Sequence, residues 1–545
     1  MRFRAVTGSV LASTLAVAAG LVATVAPASA AGTTALLEGA TGVGDVAAGG
    51  GHVFVATDQG VVVADTEGTP TSTINLPGAA GLALTPDSTR LYAALRNSNE
   101  VAEIATDTLA VVRRIALANN PCPSHLALAG TRLWVGYGCG QAYGGVVGLD
   151  VSVADPQPYG LAFNMYGAPV VAAAGGTVVT GELGLGPGKL EVYDVSTTPA
   201  TKRGEISGHT YGLGDLNDIA ISADGSTVYS AFNRPNQFDA WDTTTLTRIR
   251  SFGANETSSG IPKSVALSPD GAHLAGGRIS GPFVSVFDVA DTTPTYADTN
   301  PTGETVPRSL AFSGTDVFSV LRGWSNGQFY LWRLTGALLP PSTLALTPPA
   351  EATALAPLTL TGRLTLSDGS APGKQPLVVT RQLPDGTRST LDGVTTAADG
   401  RFTVTDTVSI VGDVRYDVYW DGTPAFRWSS TSLTVTVAPH PSSLTLSGPT
   451  SGTNGRPLTF TGVLDLGGLT PPAGTTIDVW RDVTNRTGTS RTYLPTVTPA
   501  SDGSFSFVDT PPTGGQYTYS VHFWTNPVFQ VAYASHKVSV RGAGA

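Results

Sequence analysis

The sequence predicts an all-β chain, and three observations carry that prediction. A unit of about 45 residues recurs seven times between residues 33 and 338, a period typical of four-stranded repeat units. A second period of about 100 residues then occurs twice, on the scale of a β-sandwich domain. Charged residues make up only 13%, against 65 Gly and 38 Pro, and no heptad run or long amphipathic stripe follows the N-terminal stretch. Such a composition suits short strands joined by tight turns. The predicted architecture is a seven-bladed β-propeller over 31–338, then two β-sandwich domains over 341–438 and 439–541.

The best-formed repeat is Ser264–Val289. Val265–Leu267 reads as an apolar strand, Pro269-Asp270-Gly271 as a turn, and Phe283–Asp288 as an alternating strand. The alanine of that first strand recurs at Ala47, Ala83, Ala127, Ala173, Ala220, Ala266 and Ala311, at intervals of 36, 44, 46, 47, 46 and 45. An aspartate closes the third strand of six copies: Asp65, Asp107, Asp150, Asp194, Asp242 and Asp288. The seventh copy has Arg333 near that place and runs out after Leu334. Its outer strand is expected from Thr33–Glu38, in preference to Gly336–Leu339. A series closed in this way leaves only short, protected edges.

Leu82-Ala-Leu-Thr-Pro-Asp87 with Leu91-Tyr92, Ile219–Gly225 with Val228-Tyr229, and Ser268-Pro-Asp-Gly271 resemble the YVTN and WD-repeat propellers, chiefly the looser bacterial extracellular type. Gly208-His209 followed by Trp241-Asp242 looks like one complete WD-type pairing, whereas the other copies lack one or both halves. The resemblance covers roughly residues 33–338 and implies a fold, because propellers host lyases, hydrolases, dehydrogenases and plain binding scaffolds alike.

After Leu339-Pro340-Pro341, Pro341–Leu344 recurs as Pro441–Leu444 and Leu358–Gly362 as Leu458–Gly462, both offset by 100. Tyr416, Val418 and Asp399-Gly400 recur 103 residues on as Tyr519, Val521 and Asp502-Gly503. These modules resemble the Ig-like repeats of bacterial surface and secreted proteins, without the Cys…Trp…Cys of antibody domains. Tyr416 and Tyr519 are candidate corner tyrosines, and Trp420, Trp428, Trp480 and Trp524 are expected in cores or between domains.

Residues 1–30 read as a secretory signal: Arg2 and Arg4, an apolar stretch over Val6–Val25, and Ala28-Ser29-Ala30 as the cleavage site. The expected product is secreted and extracellular, cut after Ala30, with no membrane attachment and a monomeric state. Export makes a Cys122–Cys139 disulfide the expected state of the two cysteines. A net charge of −10 with scattered Lys and Arg argues against nucleic acid as a partner.

No GxSxG, HExxH, Walker loop, EF-hand loop or dinucleotide fingerprint occurs in a supporting context, so neither a metal nor a cofactor is expected. Repeat geometry nominates positions instead. In a propeller, the segment leading into each first strand faces one mouth of the central channel. Two residues before each alanine lie Asp45, Gly81, His125, Val171, Asp218, Ser264 and Ser309, and one residue earlier lie Ser124, Asn217, Lys263 and Arg308 among others. Asp45, His125, Asp218, Lys263 and Arg308 are the titratable candidates for ligand binding. The favoured reading is a non-enzymatic interaction or adhesion protein whose propeller mouth binds an extracellular protein, peptide or glycan, with the tail modules as spacers or auxiliary binding domains. The alternatives are a lyase or hydrolase working through His125 and Asp218, and an inert envelope or matrix protein. Tyr137, Tyr143, Tyr159 and Tyr166 form a sequence cluster that suits either stacking on sugars or internal packing.

Overall fold

A computed structural model describes residues 32–542 except 141–142, 254–259, 293, 299–301, 486–487 and 525–526. The expected export signal lies outside the described residues. Among the described residues no helix is long and apolar enough to cross a membrane. Strands dominate, and the only helix among those residues is one turn, Gly208–Tyr211.

The segment 33–334 forms seven four-stranded antiparallel sheets. Their first strands are Val43–Gly49, Ala79–Leu84, Pro123–Ala129, Val170–Ala174, Gly214–Ile221, Pro262–Leu267 and Gly303–Ser313. We number the sheets 1 to 7 in that order. Each first strand packs against the next, and that of sheet 7 returns against that of sheet 1. The seventh sheet takes its fourth strand from the N-terminal side: Thr33–Leu36 pairs with Phe329–Leu334 in the register Thr33 to Arg333. The segment 336–339 forms no strand.

The burial pattern explains the stacking. The second and third strands of sheet 1, His52–Thr57 and Gly60–Ala64, are almost wholly buried, whereas its fourth, Pro70–Ile74, is largely exposed. Strands apolar on both faces must be covered on both faces. Seven hydrophobic clusters do this, one at each junction between neighbouring sheets. Phe54 and Val61 meet Leu91 and Ala93 between sheets 1 and 2, for example, and Phe318 and Leu331 meet Val53 and Val55 between sheets 7 and 1. The turn in sheet 6 forms as its sequence requires. Asp270 accepts from Ser268 Oγ at 2.5 Å and Ala272 N at 3.0 Å, and Gly271 takes φ +73°.

Beyond residue 341 there are two sandwich units. In the first, Ser342–Thr347, Pro357–Leu366 and Arg401–Thr407 face a four-stranded sheet over one shared core that includes Leu360, Val379 and Val418. In the second, a three-stranded sheet faces a five-stranded one. Both units hold the same internal network. Tyr416 donates to Asp406 at 2.7 Å, and Arg381 reaches the same carboxylate at 2.7 Å. Tyr519 donates to Asp509 at 2.7 Å, with Arg481 at 2.5 Å. The first sandwich touches sheet 6, where Arg427 Nη2 donates to the Thr295 carbonyl at 3.0 Å and its guanidinium sits 4.8 Å from the Tyr296 ring centre.

Two sequence expectations are corrected here. Trp524 is 56% exposed rather than packed, beside His522 with ring centres 4.2 Å apart. His209 is exposed, so the WD-type pairing is not made. Trp241 instead meets Tyr211 edge-on at 4.9 Å and bonds Ser230 Oγ at 2.8 Å. The helical turn places Tyr211 over the tryptophan and turns His209 to solvent.

Candidate functional site

The site is built from a backbone irregularity that recurs. Six of the seven first strands carry a register shift just before or around the nominated position: between Val43 and Asp45, Ala79 and Leu82, Pro123 and His125, Leu216 and Asp218, Pro262 and Ser264, and Thr305 and Leu310. Sheet 4, with Val171, pairs regularly. A bulge re-aims the residue that follows it and frees a backbone N–H from the ladder.

Those re-aimed side chains latch one sheet to the next. Asp45 accepts from Leu82 N of sheet 2 at 2.9 Å. Asp218 accepts from Val265 N of sheet 6 at 2.8 Å and from Ser264 Oγ at 3.1 Å. Ser264 Oγ in turn accepts from Ser309 N of sheet 7 at 2.9 Å. The second oxygens of both aspartates accept from the following residue's own N–H, Val46 and Ile219, at 2.9 Å each.

Asp45, His125, Asp218 and Arg308 converge on one small chamber of about 170 Å³, walled by Leu82, Leu126, Val170, Val171, Ile219, Val265 and Leu310. His125 is 5% exposed and Asp218 7%. Arg308 stands in left-handed backbone, φ +55°, inside the bulge of sheet 7. Its Nη1 donates to His125 Nδ1, and its Nε is buried without a partner. Lys263 is the exception: it lines neither this chamber nor the cleft above it. Its amine reaches Asn217 Oδ1 at 3.4 Å, and Asn217 is held by the Pro262 carbonyl at 2.9 Å. Lys263 precedes Ser264 as Arg308 precedes Ser309, but it lies in the short bulge between Pro262 and Ser264, whereas the longer irregularity from Thr305 to Leu310 holds Arg308 in left-handed backbone and turns it inward.

Burial governs the charges. It pushes Asp218 up to about 7, partly offset by the Val265 N–H and the Arg308 charge, and the Asp45 charge raises it further. Burial likewise raises Asp45 to about 6 against the pull of Arg308 and its backbone donors. Asp45 keeps some accessible surface and faces the small chamber it shares with Asp218 and Arg308. His125 is pushed well below its usual range by burial and by the charges of Arg308 and Arg96, so the imidazole is neutral and its Nδ1 accepts a hydrogen bond from the guanidinium.

Above the chamber lies an open cleft of about 520 Å³, and His125 and Arg308 line both spaces. They form the floor of the cleft. Its walls come from Gly42–Gly44 and Asp58 of sheet 1, Gly78–Ala80, Arg96 and Asn97 of sheet 2, Ser124, Gly138 and Gly140 of sheet 3, and Tyr166–Ala168 and Leu183 around sheet 4. Cys139 lies between the two wall glycines and is bonded to Cys122, which fixes this part of the rim. Of the clustered tyrosines, Tyr166 joins the wall, Tyr143 stands in solvent, Tyr137 is buried, and Tyr159 packs edge-on against Trp134 at 5.6 Å.

Repeat arithmetic from the first strands misses Arg96 and Asn97. The signal was available, because an antiparallel hairpin brings the end of its second strand to the same edge as the start of its first. Residues just past each second strand therefore face the same mouth.

No protein-family model and no curated protein sequence matches the chain. Among solved structures it is similar to a chain of hydrazine synthase from Kuenenia stuttgartiensis, at TM-score 0.43 and 16% identity over 55% of this chain and 97% of that one. It is similar to the β-propeller domain of Cps50 (Swd1) from Myceliophteria thermophila, at TM-score 0.40 and 12% identity over 62% and 99%. A third is Hsv2 from Kluyveromyces lactis, at 0.35 and 12% over 53% and 96%.

Proposed function

We propose that the chain is an exported, monomeric interaction protein. In this reading it is a seven-bladed propeller of the bacterial extracellular YVTN/WD-like type followed by two Ig-like modules, and the propeller mouth binds an extracellular protein, peptide or glycan. One observation carries it: loops of five sheets converge on an open cleft of about 520 Å³, within the size range of ligand sites. The Arg427 contact with Thr295 supports a role for the first Ig-like module as a spacer set at a defined angle to the propeller.

The arrangement below the cleft favours binding over catalysis through His125 and Asp218. Both Asp218 oxygens are taken by backbone N–H groups. His125 is covered by Arg308, and a general base needs a free lone pair within reach of its proton. An array of glycans and secreted proteins, probed with the full chain and with Asn97→Trp, tests this reading. Binding that is lost when the tryptophan fills the cleft is expected. An array with no hits, or hits indifferent to Asn97→Trp, overturns the mouth as the site. Turnover on glycans, lactones or peptides that His125→Ala abolishes overturns the non-enzymatic role.

A further inference from the structure

We infer that the mouth cleft grips its ligand by an oxyanion, a carboxylate or phosphate group held between Arg96 and Arg308. This rests on the mouth being the binding site. Among the described residues, five charged or titratable side chains line the cleft: Arg96, Arg308, His125, Asp58 and Tyr166. Asp58 is the only carboxylate among them, and its oxygens are committed to the rim. They accept from Thr41 N at 2.9 Å, Thr41 Oγ1 at 2.6 Å, Gly42 N at 3.0 Å and Gln59 Nε2 at 2.8 Å. His125 is neutral for the reasons given above. The open charge of the cleft is therefore that of two guanidinium groups.

These two groups feel each other. The Arg96 charge acts unfavourably on Arg308 and on His125 alike. The acids that balance Arg308, Asp45 and Asp218, lie on the far side in the chamber, with their oxygens already bonded to backbone N–H groups. Arg308 is also held in place, by its bulge and by His125, and it keeps a buried Nε with no partner. Two guanidinium forks opening on one concave space, on a chain of net charge −10, make a local positive site that an anion would relieve. Like charges are then bridged rather than opposed. The cleft is far larger than a bare ion, so the oxyanion is one group of a larger ligand whose remainder lies along Asn97, Tyr166 and the glycine-lined walls.

Calorimetric titration of the full chain tests this, with succinate and inorganic phosphate in separate arms and succinamide as the neutral control. Binding of succinate, of phosphate or of both is expected, weakened by added sodium chloride, with no binding of succinamide. The arm that binds tells which oxyanion is preferred. Arg96→Gln is expected to weaken binding about tenfold or more, with Arg96→Lys restoring part of it. Arg96 is exposed, so these variants are expected to keep the wild-type melting temperature, which removes misfolding as an explanation. Absence of binding in both anion arms, or equal binding by Arg96→Gln and wild type, overturns the inference. If Asn97→Trp abolishes array binding while Arg96→Gln leaves it intact, the mouth remains the binding site and only its anion preference falls.

Discussion

Arg308 and His125 lie in contact although they are 183 positions apart in sequence, and together they line both the wide cleft and the small chamber beneath it. One comes from sheet 7 and the other from sheet 3, so the contact exists only when the whole series of sheets is assembled. It joins the geometry of the fold to that of the site.

Arg308→Ala should be among the most destabilising single changes in the chain. It removes the cation that offsets Asp45 and Asp218 and leaves them buried without it. A loss of about 3 kcal/mol in denaturant unfolding is expected, the scale for breaking a buried charge set. A loss under half a kilocalorie (about a surface effect) would show that the two aspartates are stabilised by their backbone donors alone.

Asp218 should make stability fall as pH rises. Its folded value of about 7 lies above its ordinary value of 3.8, so its contribution is fully present below pH 3.8 and is lost through pH 7. Asp45, at about 6, acts in the same direction. His125 acts oppositely, costing stability as pH falls below its ordinary value of 6.5, because its folded form resists protonation. The Asp218→Asn variant isolates the first effect. The melting-temperature advantage of wild type over Asp218→Asn should shrink between pH 4 and pH 8, and a constant difference would contradict the assignment.

The Cys122–Cys139 bond closes a loop at the rim of the cleft, with a sequence separation of 17. Replacing both cysteines by serine should cost about 3 kcal/mol in the chain-entropy view. Unfolding of the double variant compared with wild type, each with and without reductant, checks this: only wild type should respond to reductant.

Removing Thr33–Leu36 should expose the outer edge of Phe329–Leu334, which those residues pair. An unpaired edge is a template for association. A chain lacking residues 33–36 should melt lower and associate in light scattering, and an unchanged monomer would mean that the strand is dispensable.

The repeat was legible because every unit carries an alanine in its first strand and six of the seven close the third strand with an aspartate, constraints that act on single residues. The closing strand Thr33–Leu36 was legible for the same reason, since an unpaired seventh edge demands a partner. Of the five nominated titratable residues, Asp45, His125 and Asp218 meet at one chamber because they occupy equivalent places in the repeat, and Arg308 joins them from the place one residue earlier. Lys263 does not, although it stands at the place equivalent to Arg308: its bulge, between Pro262 and Ser264, is shorter than the irregularity from Thr305 to Leu310 that holds Arg308 in left-handed backbone, and neither leaves a composition signal here. Arg96 was missed because it follows a second strand, where the repeat shows no common residue type. Trp524 was misplaced because a tryptophan at a strand end suits a core as well as a surface, and only the fold settles which face it occupies.

Hydrogen exchange on the full chain, with and without the strongest ligand found on the array, tests the central claim most directly. Protection concentrated on Gly42–Gly44, Arg96–Asn97 and Tyr166–Ala168 is expected, because these segments wall the cleft. Protection confined to residues 341–541, with the cleft walls unchanged, would contradict it.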